Sequence, residues 1–155
     1  MATQLLCCVV IPEFVDGLLP AGIHEASWRE VTGRFVWTGT RLRLIQGVNL
    51  ALSDLALAGC RRAYLDGSFV TEEPYPNDYD LCWDTDGVEV SRLHRVLRDT
   101  CPPRTAQKIR YLGDILPNIQ ERSVGKPILD FFQIDKITNK PKGIVVIDLP
   151  LNRIP

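Results

Sequence analysis

Apolar positions along this chain fall into short runs separated by strong turn signals. Residues 5–11 are an unbroken apolar stretch. It lacks a basic flank and a small-residue cleavage site and is too short to span a bilayer. It reads as a strand or extended segment packed on the domain. Residues 13–22 read as a loop, punctuated by Asp16-Gly17 and Pro20. A short helix is expected from His24 to Val31, with Trp28, Val31 and Phe35 on one face. Thr40 is placed to cap a long second helix over residues 41–58, which Gly59 ends. Residues 61–65 and 79–83 predict two strands. A third helix is expected over 88–98, stopped by Cys101-Pro102-Pro103. Residues 104–112 are compatible with helix, and 113–125 read as irregular. The apolar run of residues 127–135 predicts a strong strand. Asn139-Lys140-Pro141-Lys142-Gly143 is a turn, and 144–149 are a last apolar strand.

That order of elements predicts a small α/β (α+β) domain, a mixed β-sheet flanked by helices. The chain has 155 residues, enough for one domain with a real core. The domain is read over residues 1–155, with a core at about 41–135, an N-terminal extension of 1–40 and a C-terminal strand at 144–149. The formal net charge is −1, so any basic patch must be local. The five cysteines are irregularly spaced and no CxxC occurs, which argues against a zinc site or a disulfide framework. Their apolar neighbours suit reduced, buried thiols in a cytoplasm.

Candidate chemistry concentrates in one stretch. Gly67-Ser68 follows the strand of residues 61–65, and Asp78-Tyr79-Asp80 leads into the next strand. Gly67 permits close backbone approach by a phosphate, and Ser68 adds a hydroxyl and an N–H donor. Residues two apart on a strand point to one face, so Asp78 and Asp80 are expected to project together. Paired carboxylates at that spacing suit a divalent cation in phosphoryl transfer. A third acid from a later strand would complete such a site. Asp130, embedded in the apolar 127–135 run, is the candidate. Asp66 and Asp84 are rivals, read more simply as capping or edge residues, and Asp135 as solvated.

Gly67-Ser68, nine residues, then Asp78-Tyr79-Asp80-Leu81 resembles the signature of the DNA polymerase beta-like nucleotidyltransferase superfamily. The order of helix, strand, Gly-Ser, Asp-x-Asp and later strand acid is similar over residues 41–133. Nearly the whole chain resembles short bacterial proteins of that superfamily, through the Gly-Leu-Leu-Pro…Gly-Ile-His-Glu-Ala segment and the ending from Phe131-Phe132-Gln133. The resemblance implies Mg²⁺- or Mn²⁺-dependent transfer of a nucleoside monophosphate from a nucleoside triphosphate to a hydroxyl of a protein, an RNA or a small molecule. Gly67 and Ser68 would seat the triphosphate; Asp78, Asp80 and Asp130 would hold metal and act in catalysis. It implies a cytoplasmic, bacterial or phage-type protein, with no membrane. A protein partner or homodimer would supply the acceptor contacts that larger members carry in an added helical domain.

The chain departs from the family where many active members carry an Arg after Gly-Ser. Here the loop is Phe69-Val70-Thr71-Glu72-Glu73. The alternative reading is therefore a catalytically weak relative that acts as a binding partner in a toxin–antitoxin or phage-defence pair. A metal-dependent nuclease or phosphatase using the same carboxylates is a third. Arg92, Arg95 and Arg98 read as an exposed face balanced by Glu89 and Asp99 rather than an RNA stripe. Lys136, Lys140 and Lys142 read as solvated turn residues, His24 as capping or packing the first helix, and His94 as facing solvent. Trp28, Trp37 and Trp83 read as core or interface.

Overall fold

The computed structural model describes residues 11–150. Of the N-terminal apolar run, residues 5–10 lie outside the described residues, and Ile11 is buried. The protein is a mixed α/β structure built on one five-stranded sheet. In chain order its elements are β1 (Gly22–Glu25), α1 (Trp28–Phe35), α2 (Gly39–Leu57), β2 (Arg62–Asp66), β3 (Asp80–Trp83), α3 (Thr105–Tyr111), β4 (Asp114–Pro117), α4 (Ile128–Phe132) and β5 (Gly143–Asp148). The strand order is β1-β5-β2-β3-β4. β2 runs antiparallel to both β3 and β5, while β1 and β4 lie parallel to their neighbours at the two edges.

Side chains alternate between two cores along the central strands. Ala63, Leu65, Leu81, Trp83, Val145 and Ile147 enter the larger core, with Val31 and Phe35 of α1, the buried face of α2 and Tyr111 of α3. Tyr64, Cys82, Ile144 and Val146 enter a smaller core covered by Ile128, Leu129 and Phe132 of α4. β5 is central and covered on both sides, which explains its unbroken apolar run.

Several expected elements take another form. α1 starts at Trp28 because Ser27 and Glu30 form a reciprocal capping box, and His24 belongs instead to edge strand β1. Its Nε2 lies 2.7 Å from the Pro20 carbonyl oxygen. Thr38, not Thr40, caps α2. The expected third helix is two 3₁₀ turns, Val90–Arg92 and Arg95–Arg98. There the His94 ring accepts from the Val96 N–H, and Arg98 donates to the carbonyls of Leu93 and Ser91. These side chains take over backbone partners that a helix would use. The arginine stripe dissolves with it: Arg98 is tied down locally and Arg92 lies 4.0 Å from Glu89.

The predicted strand at 127–135 is the short helix α4. Ile128, Leu129 and Phe132 are spaced i, i+1, i+4, one helical face, and that face covers the sheet. Lys142 also differs from expectation: it is buried, not solvated. Of the three tryptophans, Trp83 is buried core and Trp37 is half-exposed beneath the Arg41 guanidinium, 4.5 Å from the ring centroid.

Candidate functional site

β2 ends at Asp66, and the chain turns sharply through Gly67 into a 3₁₀ turn, Ser68–Val70. Gly67 has φ +82°. A Cβ there would stand 2.9 Å from Asp80 Oδ2 and 3.1 Å from the Asp80 backbone nitrogen. Only glycine combines that dihedral with that closeness. The turn is therefore packed directly against the carboxylate of the next strand.

The loop after the turn is fixed by Arg41, a fully buried residue of α2. Its guanidinium donates to five carbonyl oxygens, those of Phe35, Ser68, Phe69, Thr71 and Glu73. Burial lowers its pKa, and the nearby Glu73 charge opposes that shift. The fork geometry of a guanidinium satisfies many carbonyls at once, which an ammonium cannot do. The two acids of the loop are also accounted for. Glu72 is exposed, and its N–H bonds the Gly17 carbonyl. The Glu73 carboxylate accepts from the Tyr75 N–H at 3.0 Å.

Strand register assembles the carboxylates. Asp66 of β2 pairs with Asp80 of β3, and Asp80 pairs with Asp114 of β4. Directly paired residues share a face, so three aspartates lie abreast across three strands. Asp78 sits just before β3. Asp66 is buried and ion-paired with Lys142. Its pKa is raised by burial, and the Lys142 charge pulls against that. Asp114 is held by Arg104 at 2.8 Å and Lys108 at 3.3 Å. Asp80 is different. Burial raises its pKa from 3.8 to about 6; Lys136 opposes the rise, and Asp66, Asp78 and Asp114 add to it.

Two cavities meet at this row. The first, of about 430 Å³, is lined by Gly67, Ser68, Thr71, Glu73, Asp78 and Asp80, with Asp135, Lys136 and Lys142 on its other side. The second, of about 420 Å³, has Arg104, Asp114 and Glu121 on its polar side and an apolar wall of Leu116, Val124, Ile128, Phe131 and Phe132. Asp66, Asp80 and Lys136 line both.

Of the residues singled out in the sequence, Gly67, Ser68, Asp78 and Asp80 are thus brought to one cavity. Asp130 is not. It is exposed on the outer face of α4 and lines neither cavity, because its neighbours turn a helical face, not a strand face, to the sheet. Asp114 occupies the in-register place on the adjacent strand. It was missed because Asp114-Ile115-Leu116-Pro117 is too short to show a strand period, and its pairing with β3 is non-local. Asp66 is neither cap nor edge residue but part of the row. Asp84 lines neither cavity and accepts from Tyr64 and Asn118.

The fold and site define a mixed α/β protein with a glycine turn against a carboxylate row. The chain matches a family of unknown function, DUF6932, over residues 12–148, and it belongs to that family. No curated protein and no solved structure matches it.

Proposed function

We propose that this protein is a nucleotidyltransferase of polymerase beta-like architecture. It would move a nucleoside monophosphate from a nucleoside triphosphate to a hydroxyl of a protein, an RNA or a small molecule. The observation that carries this reading is the Gly67-Ser68 turn packed on Asp80, with Asp78 in the same cavity. The Ser68 hydroxyl and the half-buried backbone of the turn line that cavity and suit phosphate oxygens.

Among the described residues, no group of three or more His, Cys, Asp or Glu side chains is arranged to hold a metal ion. The donor set nonetheless fits Mg²⁺ or Mn²⁺. Such ions are commonly held by one or two carboxylates plus substrate phosphates and water, rather than by an all-protein cage. Asp78 and Asp80 would hold the cation, which would offset phosphate charge. Asp80 is the carboxylate whose charge burial and its acidic neighbours penalise most visibly.

The reaction would form a bond from the acceptor oxygen to the α-phosphorus and break the bond to the β-phosphate oxygen. Pyrophosphate leaves and a carboxylate of the row takes the hydroxyl proton. Asp114 faces the second cavity and is the in-register third acid for that task, in place of Asp130. The apolar wall of that cavity would carry the body of the acceptor. A partner chain or second copy would add further acceptor contacts. Residence in the cytoplasm is supported by two buried thiols, Cys60 and Cys82, both pushed up to about 12 by burial. Among the described residues no helix is long and apolar enough to cross a membrane.

A second reading is a non-catalytic binding module of a toxin–antitoxin or phage-defence pair. The ion pairs of Asp66 with Lys142 and of Asp114 with Arg104 and Lys108 favour it, since two of the row's charges are already balanced internally. Titration of the full chain with ATP, GTP, CTP and UTP, with and without Mg²⁺, separates the readings. Magnesium-dependent binding that Asp78→Ala/Asp80→Ala abolishes is the outcome expected of the nucleotidyltransferase. Absent binding, or binding indifferent to the double substitution, would sink it.

A further inference from the structure

Resting on that nucleotide reading, we infer that Lys136 supplies the polyphosphate-gripping cation in this chain, from the α4–β5 connection rather than from the loop after Gly-Ser. The first cavity is strongly acidic. Asp66, Glu73, Asp78, Asp80 and Asp135 line it, against only Lys136 and Lys142. A triphosphate entering that cavity needs cationic contacts beyond a single metal ion. The loop itself has none to offer: its residues are Phe69-Val70-Thr71-Glu72-Glu73, and Arg41 is spent on backbone carbonyls.

The two lysines are not equivalent. Lys142 is buried and ion-paired with Asp66. Its ammonium holds a β2 carboxylate in place, and moving it would leave that buried acid alone. Lys136 is exposed and appears in none of the ion pairs found among the described residues. It nonetheless lines both cavities and lies close enough to influence Asp66 and Asp80. Its ammonium therefore stands at the border of the phosphate turn and the acceptor side.

The backbone that presents Lys136 is pinned by hydrogen bonds, and its side chain is exposed. Ile134 and Pro141 form an isolated bridge. The Asp135 N–H donates to the Lys140 carbonyl, the Asn139 N–H donates to the Asp135 carbonyl, and the Lys142 N–H donates to the Gln133 carbonyl. The Asp135 carboxylate accepts from both the N–H and the hydroxyl of Thr138, at 2.7 and 2.6 Å. A hydrogen-bonded turn holds the backbone ready, so that gripping a phosphate would order the Lys136 side chain and little else. Lys136 would meet the oxygens beyond the α-phosphate, which makes it a positioning residue selective for triphosphate over monophosphate.

The test is calorimetric titration of the full chain with the Mg²⁺ complex of a non-hydrolysable ATP analogue and, separately, with AMP. Wild type, Lys136→Gln, Lys136→Arg and Lys140→Gln are compared, with melting temperature as the fold check. Lys136→Gln is expected to weaken the triphosphate by about tenfold and AMP by less than about twofold. Arginine should restore most of the loss, Lys140→Gln should change nothing, and all four should melt alike. Triphosphate affinity unaffected by Lys136→Gln, or lost equally for AMP, would overturn the assignment while leaving the nucleotide reading intact. Wild type that binds no triphosphate overturns both.

Discussion

Arg41 offers the sharpest test of how the site is built. Its guanidinium is fully buried yet faces no carboxylate at salt-bridge distance; it is neutralised chiefly by backbone dipoles. It also lies over two aromatic rings, 4.5 Å from the Trp37 centroid and 5.3 Å from that of Phe69. In Arg41→Met the apolar stem is kept and the donors are lost. Three of the five carbonyls, those of Ser68, Thr71 and Glu73, belong to contacts only partly buried and can turn to water. The Phe35 and Phe69 carbonyls are bonded in the interior and cannot. Each buried acceptor left unpaired costs about 1–3 kcal/mol. With the lost charge-assisted bonds, the expected destabilisation is about 3–5 kcal/mol, a large share of a typical domain's stability. With a urea slope near 2 kcal/mol/M, the unfolding midpoint should fall by about 1.5–2.5 M. Arg41→Lys should recover less than half of the loss, since one ammonium cannot reach diverging carbonyls. Limited proteolysis should then cut within residues 68–76 before global unfolding. If Arg41→Met lies within about 1 kcal/mol of wild type by urea denaturation, the loop is held by something else and the reasoning is wrong.

Other expectations follow from single observations. Gly67→Ala should cost about 1–3 kcal/mol from its positive φ alone, and its Cβ should push the Asp80 carboxylate aside; unaltered nucleotide titration in this variant would remove Gly67 from the site. Asp80→Asn should be stabilising at neutral pH. A carboxyl whose pKa is raised to about 6 in the folded state binds more protons than the unfolded chain between about 4 and 6, so stability falls as pH rises through that window. The penalty is fully present above about pH 6, at most roughly 3 kcal/mol, and absent below about pH 4. Urea curves at pH 4 and 7.5 should therefore show no gain at the lower pH and a gain at the higher, and equal effects at both would contradict the assignment. Asp130→Ala should leave stability within about 0.5 kcal/mol and nucleotide binding unchanged, as expected of an exposed residue outside both cavities. Asp114→Asn should impair transfer more than binding, and single-turnover labelling beside equilibrium titration would separate the two.

The sequence by itself determined the centre of this protein. Apolar runs and helical periodicity place α2, β2, β3 and β5 to within a few residues, because each is long or strongly apolar enough for burial to dictate its form. Gly-Ser and Asp-x-Asp were legible because a tight turn and paired carboxylates need particular residue types at short range. Tertiary structure decided the rest. Residues 128–132 are equally apolar as strand or helix, and only the vacant small core over Tyr64, Cys82, Ile144 and Val146 selected the helix and turned Asp130 outward. Asp114 and Asp66 entered the site through strand register, a non-local property no short window records. Lys142 reads as a solvated turn residue and nothing in the sequence singles out Arg41, yet the fold buries both, one against a carboxylate and the other among carbonyls. Burial creates that demand for partners, and it exists only once the elements have packed.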